Sequence, residues 1–126
     1  MIHDQDILLR QIQILITGFS KLFNKEMPYT EASDPNNSAL DSLHRRLIDL
    51  LNQNRFNEAE NLLFEQIDTS KNNNFILALD FYSRLNGFTD EVLINNDYTR
   101  QEIKDGLEEL SRLFGYGSVC NSIQAQ

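Results

Sequence analysis

The sequence contains no tryptophan, one cysteine and two prolines, and each scarcity narrows what the chain can be. A lone Cys120 cannot close an intramolecular disulfide, so a disulfide scaffold is excluded and a reducing cytoplasm is the expected compartment. With breakers limited to Pro28, Pro35 and five glycines, the composition describes a folded helical chain rather than a disordered one. Positive charge is scarce as well: 11 Lys and Arg stand against 19 Asp and Glu, a net charge of −8. No cationic run exceeds Arg45-Arg46, so neither a nucleic acid nor an anionic membrane is an expected partner.

Long hydrophobic runs are also missing. Residues 7–23 come nearest, but Arg10, Gln11 and Gln13 interrupt them, and Asp4 and Asp6 sit where a signal peptide carries positive charge. No other stretch approaches the roughly 20 apolar residues of a membrane span. Glycine-rich phosphate loops, CxxC, HExxH and GxSxG are absent too, so neither an enzyme nor a bound cofactor is expected.

What is present is helical periodicity. Leu8, Ile12, Leu15, Phe19 and Leu22 recur at steps of four and three, which predicts a first helix over residues 4–24. Ile7, Gln11, Ile14 and Gly18 form a second face on that helix, spaced like a seam between two helices. Either this face is buried by the rest of the chain, or it is an interaction surface for a protein partner, including a second copy in a homodimer. Residues 25–37 lose all periodicity and read as a long loop. Ser38 and Asp41 resemble a capping box opening a second helix through residue 53, with Leu40, Leu43, Leu47, Leu50 and Leu51 on its core face.

The short turn at Asn52-Gln53-Asn54 leads into a third helix carrying Phe56, Ala59, Leu63 and Ile67, expected antiparallel to the second. Residues 75–85 are apolar except for Asp80, Ser83 and Arg84 on one strip, which marks the central helix. Thr89 caps a short helix, and Thr99 with Glu102 makes a capping box for a last helix with Ile103, Leu107, Leu110 and Phe114 inward. The expectation is an all-α antiparallel bundle of about five helices over residues 1–116, one domain, followed by a flexible tail at 117–126.

Residues 50–59 align with residues 82–91, placing Phe56 against Phe88 at a spacing of 32. Arg55-Phe56-Asn57-Glu58-Ala59 resembles the turn and second-helix start of a tetratricopeptide repeat, which implies stacked helical hairpins. More broadly, the chain resembles a family of short, uncharacterised helical proteins from Gram-positive bacteria. The likeness rests on Gln5-Asp6-Ile7-Leu8-Leu9-Arg10-Gln11-Ile12, Ala59-Glu60-Asn61-Leu62-Leu63-Phe64, Phe81-Tyr82, and Glu102-Ile103 with Gly106-Leu107. It implies a helical fold and carries no chemistry with it.

Candidate sites are few. His3, Asp4 and Asp6 are the nearest approach to a metal cluster, but no second His or Cys at helical spacing closes it, so the acids are read as solvated groups favouring the helix dipole. His44 lies on the apolar face of the second helix, either as a hydrogen-bonded core histidine or as a ligand. Asp80 and Arg84 stand four apart, either as an ion pair on an exposed strip or as a ligand-holding pair in a bundle cavity. His44, Asp80 and Arg84 together define the alternative reading of the chain, a small-ligand or metal-binding bundle. Glu102, Asp105, Glu108 and Glu109 make a solvated acidic face, and Cys120 has no neighbouring base. Since the conspicuous residues lie on apolar faces, the leading expectation is a non-enzymatic protein-interaction module.

Overall fold

The structure is a computed structural model that describes residues 4–23, Tyr29 and residues 38–125. Seven helices occur among these residues, and no strand. They are α1 (Asp4–Leu22), α2 (Ser38–Asn52), α3 (Phe56–Gln66), α4 (Asn72–Asn86), α5 (Asp90–Asn95), α6 (Arg100–Leu113) and α7 (Gly117–Gln124). The expected loop at 25–37 lies outside the described residues except for Tyr29.

The caps are legible in side-chain chemistry. Thr99 Oγ1 accepts from Glu102 N, and Glu102 Oε2 accepts from Thr99 N, so each residue satisfies an amide that the first turn of α6 leaves unpaired. Thr89 Oγ1 accepts from Val92 N to start α5. Asn54, at φ 59, turns the chain between α2 and α3 in the left-handed conformation that Asn tolerates.

α4 occupies the middle, touching α1, α2 and α6, and it buries residues on all sides from Phe75 to Leu85. Phe75 is the hub of an aromatic cluster. Its ring centroid lies 4.9 Å from Phe19, 5.0 Å from Phe114 and 5.1 Å from Tyr116. Burying one such ring contributes about 2 to 3 kcal/mol, before the further gain from edge-to-face geometry. Ile12, Leu15, Ile16 and Phe19 seat α1 against α4 and α6.

The C-terminal segment departs from expectation. Residues 117–124 are not a tail without structure but the helix α7, packed on α1 and α6. Gly115 at φ 83 breaks α6, and Tyr116 N donates to Ser111 O to redirect the chain. Cys120 and Ile123 are then buried one turn apart, with burial pushing the Cys120 thiol pKa up. Ile123 covers Gly18, where an added Cβ would lie 2.9 Å from Ile123 Cγ2. α7 is the helix that the expected set lacks, whereas the short α5 follows the Thr89 cap as expected.

Candidate functional site

His44 and Arg84 converge on the carboxylate of Asp80. Asp80 is 1% exposed, and its Oδ2 accepts from Arg84 Nε at 2.8 Å and lies 3.0 Å from His44 Nε2. Its Oδ1 accepts from the Tyr29 backbone N–H at 3.1 Å. Tyr29 also packs its ring against His44, tilted by 48° at a centroid distance of 4.9 Å, and donates its hydroxyl to Asp41 Oδ1 at 2.8 Å. The i,i+4 pair therefore exists, but Asp80 is not on an exposed strip. Asp80 itself faces α2 and Tyr29, where His44 sits one turn from Leu40 and Leu47 on the buried side of α2, while Ser83 and Arg84 are exposed. Both oxygens of Asp80 are engaged by protein groups, so the arrangement ties Tyr29, α2 and α4 together. Arg84 lines a cleft of about 270 Å³ beside Ile48, Leu51 and Phe88.

Two further polar clusters were not singled out by sequence reasoning. Arg100 is 2% exposed and donates to Asp90 Oδ1, to the carbonyls of Asn86 and Phe88, and to Asn86 Oδ1, all within 2.7 to 2.9 Å. It thereby satisfies carbonyls at the C-terminal end of α4 that the helix itself cannot. A cation at the first position of α6 opposes that helix's own dipole, and this mismatch is the sequence signal that it serves another helix. In the second cluster Tyr82 donates to Glu60 Oε2 at 2.6 Å, with the buried Tyr98 hydroxyl beside the same carboxylate. Desolvation raises the Glu60 pKa above its ordinary value, and burial pushes both tyrosines up. Gly106 makes room for this cluster: a Cβ there would sit 2.2 Å from the Tyr82 hydroxyl. An isolated glycine inside an amphipathic helix is the available signal.

His3 falls outside the described residues, and Asp6 is exposed on α1. On α6, Glu109 pairs with Arg112, Asp105 accepts from Gln101, and Glu108 accepts from Gln124 of α7. Among the described residues, no group of three or more His, Cys, Asp or Glu side chains is placed to hold a metal ion.

The second face of α1 is divided. Gly18 is covered by Ile123, and Gln11 is half-buried, whereas Ile7 is 44% and Ile14 55% exposed. Leu22, assigned to the core face from its spacing, is 62% exposed. Ile14 and Leu22 border an open groove of about 1020 Å³ between α1 and α7, lined also by Arg10, Gly18 and Lys21 on one side and by Val119 and Ile123 on the other. Arg10 and Lys21 are its only charged side chains among the described residues, in a chain of net charge −8.

A family model described as a family of unknown function, DUF6483, matches residues 2–115. The chain belongs to this family. The DUF6483 match takes in α1 to α6, so it includes the Asp80, Arg100 and Glu60 clusters and the exposed face of α1. It ends before α7, which supplies the second wall of the groove. No curated protein and no solved structure matches the chain.

Proposed function

We propose that the protein is a non-enzymatic protein-interaction module whose contact surface is the outer face of α1 and the groove it forms with α7. One observation carries this reading: Ile7, Ile14 and Leu22 stand 44%, 55% and 62% exposed along the same helix, and Ile14 and Leu22 line the largest groove described. Large apolar side chains clustered beside a concave surface mark contact sites, since each loses favourable burial while it stays in water. The polar clusters, by contrast, have their hydrogen-bonding capacity directed inward at neighbouring helices.

The rest of the chain acts as a scaffold for that surface. We read α2 and α3 as an antiparallel, tetratricopeptide-like hairpin stacked on the following one. What supports this is the contact between Phe56 and Phe88, equivalent positions of the 32-residue repeat, whose ring centroids lie 4.8 Å apart. The cytoplasm is the proposed location, on the ground of the single buried Cys120. No helix among the described residues is long and apolar enough to cross a membrane.

Capture from extracts of the native cell tests the module. With the tagged chain as bait, a specific partner should be retained by the wild type and lost by Ile14→Glu, a surface change expected to alter stability by no more than about 0.5 kcal/mol. Equal retention by both baits contradicts the assignment of the surface.

A further inference from the structure

Resting on the reading of the α1 face as a docking surface, we infer that its occupant is α1 of a second copy, packed antiparallel about a two-fold axis through Ile14. The exposed residues have the self-complementarity this requires. Ile7, Ile14 and Lys21 follow one another at intervals of seven, so they form a nearly straight line along the helix, with about 20° of drift per interval. A two-fold axis at Ile14 sets Ile14 against Ile14 of the partner subunit and Ile7 level with Lys21 and Leu22 of the partner subunit. The aliphatic stem of that lysine and the leucine then cover Ile7, while Gln11 falls beside the contact between Gly18 and Ile123.

Charge selects the direction. Asp6 is exposed near the start of α1 and Lys21 is exposed in its last turn. Antiparallel pairing brings Asp6 beside Lys21 of the partner subunit twice, once at each end, and also opposes the two helix dipoles. Parallel pairing about an axis along the helices would instead face Asp6 with Asp6, Arg10 with Arg10 and Lys21 with Lys21. In both copies α7 flanks the contact, so the half-buried Val119 widens the apolar strip that α1 alone presents. An interface of this kind is small, which implies a dimer that dissociates on dilution.

Sedimentation of the full chain from low to high micromolar concentration tests the inference. The wild type should approach twice the 14.6 kDa chain mass as concentration rises. Ile14→Glu, which places two like charges at the axis, should remain monomeric with unchanged far-ultraviolet circular dichroism. Asp6→Lys and Lys21→Asp should each raise the dissociation constant by roughly tenfold, since each breaks two symmetry-related pairs, and the double exchange should restore it. A wild type that stays monomeric, a dimer indifferent to Ile14→Glu, or single changes that the double exchange does not rescue would overturn the inference. A monomer whose capture of a different protein is lost in Ile14→Glu overturns self-pairing and leaves the docking surface standing. A monomer with unaltered capture overturns both.

Discussion

His44 Nε2 lies 3.0 Å from Asp80 Oδ2, and this contact joins α2 to the middle of α4 at a carboxylate that also holds Arg84 and the Tyr29 backbone. Removing the acid takes a hydrogen-bond partner from the buried His44 imidazole and from the part-buried Tyr29 amide together. Asp80→Ala should therefore lower stability by about 3 to 5 kcal/mol, whereas Arg84→Ala, at a half-exposed partner, should cost about 0.5 kcal/mol. Urea unfolding of the two variants checks this, and equal small losses would show that the carboxylate does not organise the cluster.

Arg100 differs from a surface cation in that its guanidinium is enclosed and every contact is short. Arg100→Lys keeps the charge but cannot reach Asp90, Asn86 and Phe88 at once, so it should lose about 2 kcal/mol or more relative to the wild type. A Tm within experimental error of the wild type would contradict that dependence on geometry.

Gly106 is fixed by packing rather than by backbone conformation. Alanine would normally gain about 1 kcal/mol of helix propensity there, but its Cβ would collide with the Tyr82 hydroxyl and Glu60. Gly106→Ala should therefore be destabilising by about 1 to 3 kcal/mol. Tyr82→Phe removes the nearest clashing atom, so the double variant should lose less than the sum of the single losses, as a thermodynamic cycle would reveal.

The Glu60 carboxyl sets a pH dependence with a definite sign. Burial raises its folded-state pKa above the unfolded value, so the folded chain holds the proton more tightly. Its contribution to stability is fully present below the unfolded pKa and is lost as pH rises through the folded pKa. Glu60→Gln abolishes that loss. The stability of the variant relative to wild type should thus rise from acidic to neutral pH, and a difference that stays flat or falls would refute the assignment.

Much of the helical pattern was legible because it depends on neighbours in sequence. Thr99 and Glu102 announce the start of α6, and residues 75–85 announce a buried helix, by spacing alone. α7 was missed for a physical reason: two turns give Val119, Cys120 and Ile123 too few repeats to stand out from the polar Ser118, Asn121 and Ser122. The burial of Asp80 was missed because a helical wheel locates a strip without saying what lies across from it. Here Tyr29 and His44 lie across from it, each distant in sequence. Arg100 and the Glu60, Tyr82 and Gly106 cluster are tertiary in the same sense. The α1 face was visible as a second apolar stripe, but only the packed structure shows that α7 claims Gly18 and leaves Ile7 and Ile14 in water.

The proposed function rests on contact at the α1 face within the cell. A benzophenone amino acid at position 14 in the full chain, activated by light in the cells that produce it, reports what lies against that position. The account predicts a discrete protein adduct, absent when the same group replaces the exposed Asn61 of α3. Its mass would match two chains if the occupant is a second copy. No adduct at position 14 beyond that obtained at position 61 would contradict the account.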